Sequence, residues 1–460
     1  MTGLQVVILA AGQGKRMNSD LPKVLHPLGG KSLLTHVVDT ALKLNPEETP
    51  IVIYGHQGEL LRHRLADLNV TWVEQKEQLG TGHALKEALP HFSSHDRVLV
   101  LYGDVPLISF ETLQKFISST PLPALGIITA KWGNPAGFGR VVRDQDNQVT
   151  HIVEEKDASE SEKNISEINS GIYLISVSDL KKWLPKLTNS NQQKEYYLPQ
   201  IVEFAVAEKK TIAAFLCPTL EETLGVNDKA QLATLERCYQ HKQATKLLNQ
   251  GVTLFDPSRL DIRGEVVVGR DVTIDINVIF EGKVVIGNQC TIGPNTILRN
   301  VILGDNVEIR ANSLLDGAEV GNHAVIGPFA RLRPGTTVSS HAHVGNFVEV
   351  KNSLIGEYTK VNHLSYIGDS EIGKKVNIGA GTITCNYDGI NKNKTIIGDE
   401  AFIGSNSSLV APIKIGAGAT IGAGSTITKD APANQLTVCR TLQRTIETWQ
   451  RPKAKNKETE

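Results

Sequence analysis

Residues 395–427 read TIIGDEAFIGSNSSLVAPIKIGAGATIGAGSTI, and this stretch decides the architecture of the second half of the chain. Ile397, Ile403, Leu409, Ile415, Ile421 and Ile427 follow one another at six-residue steps. A helix repeats every 3.6 residues and a two-sided strand every 2, so neither fits. A parallel β-helix does: each hexad forms one side of a triangular coil and turns its aliphatic residue into a continuous core. Working backward, the same aliphatic–glycine pairs recur at Ile378-Gly379, Ile372-Gly373, Ile326-Gly327, Val320-Gly321, Ile292-Gly293, Ile286-Gly287 and Val268-Gly269. Residues 251 to about 438 should therefore hold roughly ten coils. The segment 385–394, CNYDGINKNK, breaks the period; it is polar and basic at its end. Insertions in solenoids become loops, often on the binding face.

Before this solenoid lies a helical pattern near 229–250, read as a connecting arm. Asp228 can cap it, with Gln231 completing a capping box. Leu232, Leu235, Tyr239, Leu247 and Leu248 give a partial apolar stripe, and Gly251 can end the helix. Residues 1–227 alternate short apolar runs with helical patterns, the mark of an α/β, Rossmann-like domain with a largely parallel sheet. Strands are expected at 5–9, 50–54, 70–72, 98–101, 124–129 and 172–175, with helices at 32–44 and 82–89 among others. The division is thus 1–227, 228–250 and 251–460, the last ending in the solvated tail RPKAKNKETE.

Composition narrows the function. The 48 basic and 49 acidic residues nearly cancel, which disfavours a general nucleic-acid or anionic-membrane binder. The five cysteines, Cys217, Cys238, Cys290, Cys385 and Cys439, are scattered with no C-x-x-C pair, so free thiols in the cytoplasm are expected. Residues 4–11 are apolar but short and lack a basic lead-in, so they read as a buried strand rather than a signal peptide.

After that strand comes Leu9-Ala10-Ala11-Gly12-Gln13-Gly14-Lys15-Arg16-Met17, then Leu21-Pro22-Lys23. Glycines let backbone N–H groups close on phosphate oxygens, and Arg16 with Lys23 can neutralise charge. The loop matches neither a P-loop nor a complete G-x-G-x-x-G, which weakens ATPase and dehydrogenase readings. It resembles the signature of sugar nucleotidyltransferases. Further matches follow in order: Gln75, Gly80-Thr81-Gly82, Tyr102-Gly103-Asp104, Gly137-Phe138-Gly139-Arg140, Glu154-Glu155-Lys156, Asn169-Ser170-Gly171 and Val226-Asn227. With its hexapeptide half, nearly the whole chain resembles the family of bifunctional N-acetylglucosamine-1-phosphate uridyltransferases and glucosamine-1-phosphate N-acetyltransferases. Lys15, where that family usually has threonine, is a small departure.

The resemblance implies a left-handed parallel β-helix and two activities of UDP-N-acetylglucosamine synthesis. Leu9, Ala10, Ala11, Gly12, Gln75, Gly80 and Thr81 would surround the uridine of UTP, with Tyr102 and Gly103 beside them and Lys23 near the phosphates. Gly139, Glu154 and Asn169 would contact N-acetylglucosamine-1-phosphate, while Asp104 and Asn227 would hold Mg2+, a hard cation that takes oxygen ligands. Arg16 and Lys23 would carry catalysis by neutralising charge as the sugar phosphate attacks the α-phosphorus.

For acetyl transfer, the resemblance makes His363 the base. It lies off the aliphatic register set by Val361 and Ile367, and imidazole titrates near neutrality. Arg333, Lys351, Tyr366 and Asn377 would bind the sugar phosphate, with Glu349 orienting His363. Ala380, Asn386, Tyr387, Ser405, Ala423 and Arg440 would contact acetyl-CoA. A homotrimer with sites between subunits is implied. A metal site at His341 and His343 lacks a third ligand, and a Cys385 nucleophile is unnecessary for direct transfer. Two rivals stand against this reading: a nucleotidyltransferase whose solenoid only assembles, and a non-enzymatic scaffold.

Overall fold

The protein is described from a computed structural model that covers residues 3–45, 47–55, 57–92 and 96–452. Two compact units result, Met1–Thr245 with Ile262–Gly264, and Lys246–Asp261 with Glu265–Glu460.

In the first unit, Leu4–Ala10 is buried at all seven positions, as befits a strand covered on both faces. Leu4, Val6, Ile8 and Ala10 pack into one core with Leu34, Val37, Val38 and Ala41 of the helix Leu33–Leu44. Val7 and Leu9 face the other core, with Ala84 and Leu85 of the helix Thr81–Glu87. Each large aliphatic side chain buried there contributes about 1.5–3 kcal/mol. Ser32 starts the first helix by accepting a hydrogen bond from the Thr35 N–H at 3.1 Å.

The sheet order is Ile212–Leu216, Leu125–Lys131, Glu167–Ser176, Arg97–Tyr102, Leu4–Ala10, Ile51–Tyr54, Thr71–Glu74. Only Glu167–Ser176 runs against its neighbours along this path. It is longer than the expected 172–175, and it also carries the hairpin Arg140–Arg143/Val149–Val153 through Ile168 and Arg140. That hairpin and Ile212–Leu216 were not among the expected strands. Leu9 pairs with Tyr102 and Ala10 with Tyr54, so the loops after three parallel strands share one rim.

The expected arm is a single helix, Lys229–Asn249. Asp228 caps it through the Gln231 N–H at 2.8 Å, but the box closes differently: the Gln231 side chain accepts from the Asn227 N–H at 2.8 Å. Most of the helix belongs to the first unit, because Leu235, with Leu232, Cys238 and Tyr239, completes a cluster with Met17, Leu28, Leu33, Leu107 and Val226. Leu248 leaves the expected stripe, being 42% exposed. Gly251 at φ +89° ends the helix, its N–H reaching Leu248 O while the Val252 N–H reaches Leu247 O, a Schellman closure.

The second unit is a parallel β-helix. One side is an 11-stranded parallel sheet from Thr253–Leu254 to Leu436–Thr437, and a 17-stranded sheet makes the others. Ile397 stacks on Ile415, Ile403 on Ile421 and Leu409 on Ile427, so consecutive hexads occupy three sides and repeat one coil later. Corner residues in the left-handed conformation recur at His323, His341, Tyr358, Lys375 and Glu400. The step from Lys375 to Glu400 spans the irregular segment that the sequence singles out. Beyond Pro452 the expected tail lies outside the described residues. Among those described, no helix is long and apolar enough to cross a membrane.

Candidate active sites

On the rim of the first sheet, Gly14 (φ +62°) brings the glycine loop against Lys23. A Cβ on Gly14 would lie 2.7 Å from the Lys23 Cβ, so this approach requires glycine. Gly12 faces open space, with nothing within 4 Å of a Cβ built there. The Lys23 ammonium forms an ion pair with Asp104 and reaches Asn227 Oδ1 at 3.4 Å. Asp104 O accepts from the Val226 N–H at 2.9 Å, which holds Asn227 beside it. A carboxylate and an amide oxygen thus converge on a cation, the hard donor set a divalent metal takes; the Lys23 ammonium stands in for that charge. Arg16 is exposed on the turn Lys15–Met17 and is not joined to this cluster.

Gln75 is buried, its amide nitrogen held by Gly80 O at 3.1 Å and His83 Nδ1 at 3.0 Å. Gly80, at φ +110°, precedes the helix Thr81–Glu87. Leu9, Ala10 and Ala11 end the first strand and its loop, buried under the rim. The Gly103 N–H donates to Leu9 O at 2.9 Å, and the Tyr102 ring lies where a side chain on Gly171 would otherwise stand. Burial and the carboxylates of Glu154 and Asp104 push the Tyr102 hydroxyl well above its ordinary range, so it stays a neutral donor.

Around Glu154 a cavity of about 240 Å³ opens, lined also by Asp157, Asn191 and Tyr197. Asn169 pairs with Thr129, and the register shifts between it and Tyr173. Its Oδ1 accepts from the Gly171 N–H at 3.0 Å, and its backbone N–H donates to Gly139 O at 2.9 Å. Its amide nitrogen lies beside the buried Tyr173 hydroxyl. Burial, then Asp157 and Glu195, raise the Glu154 carboxyl.

In the solenoid, register places the second set. Arg331 and Leu332 pair with Glu349 and Val350, which pair with Tyr366 and Ile367, so Arg333, Lys351 and Tyr366 share one side on successive coils. Glu349 is taken by Arg333 at 2.9 Å and Arg331 at 3.7 Å. These arginines hold Glu349 on its own side of the solenoid. Lys351 pairs with Asp369 at 3.6 Å, and Asp369 also accepts from Asn352 and Asn386. Lys392, which sequence reasoning did not select, joins them: Lys351 above all, then burial and Arg333, push its ammonium below the usual lysine range against the pull of Asp369. The basic end of the irregular segment was the signal for it. A cavity of about 560 Å³ beside this cluster is lined by Asp369, Glu371, Lys392 and Lys394 among others.

His363 is exposed at the end of Lys360–His363. Val361 pairs with Ile378, Ile378 with Ile403, and Ile403 with Ile421. Two residues further on, the same register aligns His363, Ala380, Ser405 and Ala423 in one column. Arg440 Nη1 donates to Ala423 O at 3.1 Å, closing its top. Asn377 stands opposite Lys360, at the start of that strand. The Tyr387 hydroxyl donates to Gly389 O at 2.5 Å within the irregular loop.

All five cysteines are free, Cys385 half-buried. His341 stacks between His323 (4.7 Å) and Tyr358 (4.6 Å), and no group of three metal-ligating side chains occurs among the described residues.

Residues 6–250 match the MobA-like NTP transferase domain, and residues 265–300 and 394–429 match the bacterial transferase hexapeptide family. The chain is 51% identical, across 98% of its length and 99% of the relative's, to the bifunctional protein GlmU of Azoarcus sp. (strain BH72). It is 51% identical to that of Marinobacter nauticus (98% of this chain, 100% of the relative). Against that of Aromatoleum aromaticum the figure is 52% (98% of each).

Proposed function

The chain belongs to the bifunctional GlmU family, and from that premise we propose which of its residues perform the two reactions. The enzyme acetylates glucosamine-1-phosphate with acetyl-CoA, then transfers uridylyl from UTP to the N-acetylglucosamine-1-phosphate formed and releases pyrophosphate. Both rival readings, assembly module and scaffold, give way to this.

Uridylyl transfer is assigned to the first unit. The observation that carries the assignment is the meeting of Lys23, Asp104 and Asn227, the outer two 204 residues apart in sequence. Asp104 and Asn227 hold the divalent metal, which we take to be Mg2+; when bound it neutralises charge on the phosphate oxygens. Lys23 and the N–H groups of the glycine loop hold the triphosphate, with Leu9 to Gly12, Gln75, Gly80, Thr81, Tyr102 and Gly103 around the nucleoside. The Gln75 amide oxygen, left over when its nitrogen is bonded, suits a ring N–H of the base. Gly139, Glu154 and Asn169 position the sugar so that its phosphate oxygen attacks in line. Arg16 supports charge neutralisation at the loop.

Acetyl transfer is assigned to the column topped by Arg440. Arg333, Lys351 and Lys392 hold the sugar phosphate, helped by Tyr366 and Asn377. The acetyl-CoA arm lies along Ala380, Ser405 and Ala423, about 4.8 Å per coil, with Asn386 and Tyr387 beside the acyl end. His363 takes the proton as the amine nitrogen bonds to the thioester carbonyl carbon, and the C–S bond breaks to release CoA. Such base help contributes about 10²–10⁴ in rate.

The functional boundaries 1–227, 228–250 and 251–460 belong to the same reading, as does a cytoplasmic setting, which five free thiols favour. A homotrimer would cover Phe329, Phe347 and Leu364, exposed apolar residues at the corner next to His363. Assays of single variants test the assignments: Asp104→Ala should abolish UTP-dependent pyrophosphate release and spare CoA release, and His363→Ala should do the opposite. Equal loss of both activities in either variant would overturn the assignment, and an active monomer in sedimentation would overturn the trimer.

A further inference from the structure

Arg140 is 1% exposed, the most deeply buried charged side chain among the described residues. A buried charge is tolerated only where bonds replace its hydration. Arg140 Nη1 donates to Phe138 O, and Nη2 donates to Lys163 O at 3.3 Å and meets Glu155 at 2.7 Å. Its three partners therefore come from the turn before Gly139, the residue after Glu154, and the end of the helix Glu160–Lys163. Phe138 is further fixed edge-on against Trp132, centroids 5.2 Å apart. Glu154 in turn rests against Gly139, its Oε1 3.3 Å from where a Cβ would stand.

We propose that Arg140 is a positioning residue of the sugar pocket: it clasps the Phe138–Gly139 turn to the Glu154–Glu155 segment and so sets where the Glu154 carboxylate stands. This rests on the reading that Glu154 contacts the N-acetylglucosamine moiety. The groups facing Glu154 are Tyr102, Tyr173 and Tyr197, the carboxylates of Asp157 and Glu195, and Arg140. Arg140 is the cation of that set. Burial and the two carboxylates favour the protonated form of Glu154, and the guanidinium opposes them. Clasp and charge therefore act together.

The test uses the full-length enzyme, with acetyl transfer as an internal check that each variant is folded. Arg140→Met should raise KM for N-acetylglucosamine-1-phosphate at least tenfold while KM for UTP stays within twofold. The acid limb of kcat/KM for the sugar phosphate should move to higher pH, because Glu154 then protonates more readily. Arg140→Lys keeps the charge without the forked geometry, so KM should rise with a smaller movement of the acid limb. Arg140→Met with Glu155→Gln removes the stranded carboxylate; thermal stability should recover while KM stays high. A wild-type KM in that double variant would mean that Arg140 merely balances Glu155, and equal increases in both KM values would mean a general packing role; either overturns the proposal. Glu154→Gln separates the two layers. If it leaves KM for the sugar phosphate unchanged, the assignment of the pocket fails first, whatever the Arg140 variants do.

Discussion

Replacing Gly14 with alanine should displace Lys23 without unfolding the protein. Gly14 sits at φ +62°, and the new Cβ would fall 2.7 Å from the Lys23 Cβ and 3.6 Å from its Cα. A left-handed L residue costs about 1–2 kcal/mol. Carbon atoms in contact settle about 3.5–4.0 Å apart, so loop and lysine must separate by about 1 Å. The ammonium that now meets Asp104 and Asn227 shifts with its backbone. Misplacement of that size at a reacting centre costs about 10²-fold in rate. UTP-dependent pyrophosphate release should therefore fall about a hundredfold in kcat/KM, while thermal unfolding reports a loss of about 1–2 kcal/mol and CoA release from acetyl-CoA is unchanged. Gly12→Ala is the matched control, since its Cβ meets nothing within 4 Å. It should leave stability intact and raise KM for UTP, because only a bound nucleotide would feel the methyl group. Wild-type kcat/KM in Gly14→Ala, at wild-type stability, would refute the claim that this loop fixes Lys23.

Other perturbations address the solenoid and the charges. Ile403→Ala hollows a fully buried site between Ile378 and Ile421 and should cost about 2–5 kcal/mol in denaturant unfolding; a loss under about 1 kcal/mol would mean that the coils do not share one tight core. The Lys392 ammonium lies below its usual range because Lys351 and Arg333 repel it, so it loses its proton earlier as pH rises. KM for glucosamine-1-phosphate should climb at alkaline pH sooner than for an ordinary lysine, and Lys392→Met should flatten that limb; an unchanged limb excludes Lys392 from phosphate binding. Asp388 is held down to about 2 by the N–H groups of Asn391 and Ile390. Its contribution to loop order is complete above the unfolded carboxyl value and disappears as pH falls through that folded value, so Asp388→Ala should mimic acid at neutral pH and slow acetyl transfer alone. Chelation of divalent metal should stop pyrophosphate release and spare CoA release; equal loss would contradict the donor assignment.

How much was readable depended on how locally each feature is encoded. The hexads announced themselves because each side of a coil needs one inward aliphatic residue at a fixed interval, as Ile397, Ile403 and Leu409 show. Ile212–Leu216 carried no such mark: it is half-buried along most of its length and is held by pairing to Leu125–Lys131. The hairpin Arg140–Arg143/Val149–Val153 is similarly fixed from outside, through Ile168 and the Arg143–Glu167 ion pair at 2.7 Å. Leu248 looked like part of a stripe, but the helix ends one residue later in a Schellman turn that leaves it outside. In the sites, Lys23, Asp104 and Asn227 were named by motif and meet in space. Lys392 escaped because its approach to Lys351 depends on how the irregular loop folds, and the two arginines that meet Glu349 on its own side of the solenoid carry no mark in the sequence.

On the proposed assignments, the two sites meet the same problem, an anionic sugar ligand, with different resting charge, one balanced and one positive. At the first, Lys23 is balanced by Asp104, so the resting cluster has little positive charge to offer a triphosphate. Its oxygens would suit a divalent cation, which when bound would add to the charge that Arg16 offers at the loop. At the second, Arg333, Lys351 and Lys392 stand against Glu349 and Asp369, leaving an excess of cations even with both carboxylates ionised. One monoester phosphate can be held there by side chains alone. The difference also explains the scaffolds. A metal and a triphosphate need donors from several chain segments, which the rim of a parallel sheet gathers. A long thioester arm reacting with a fixed phosphate needs equal steps along a line, and the column from His363 to Ala423 is a series of such steps.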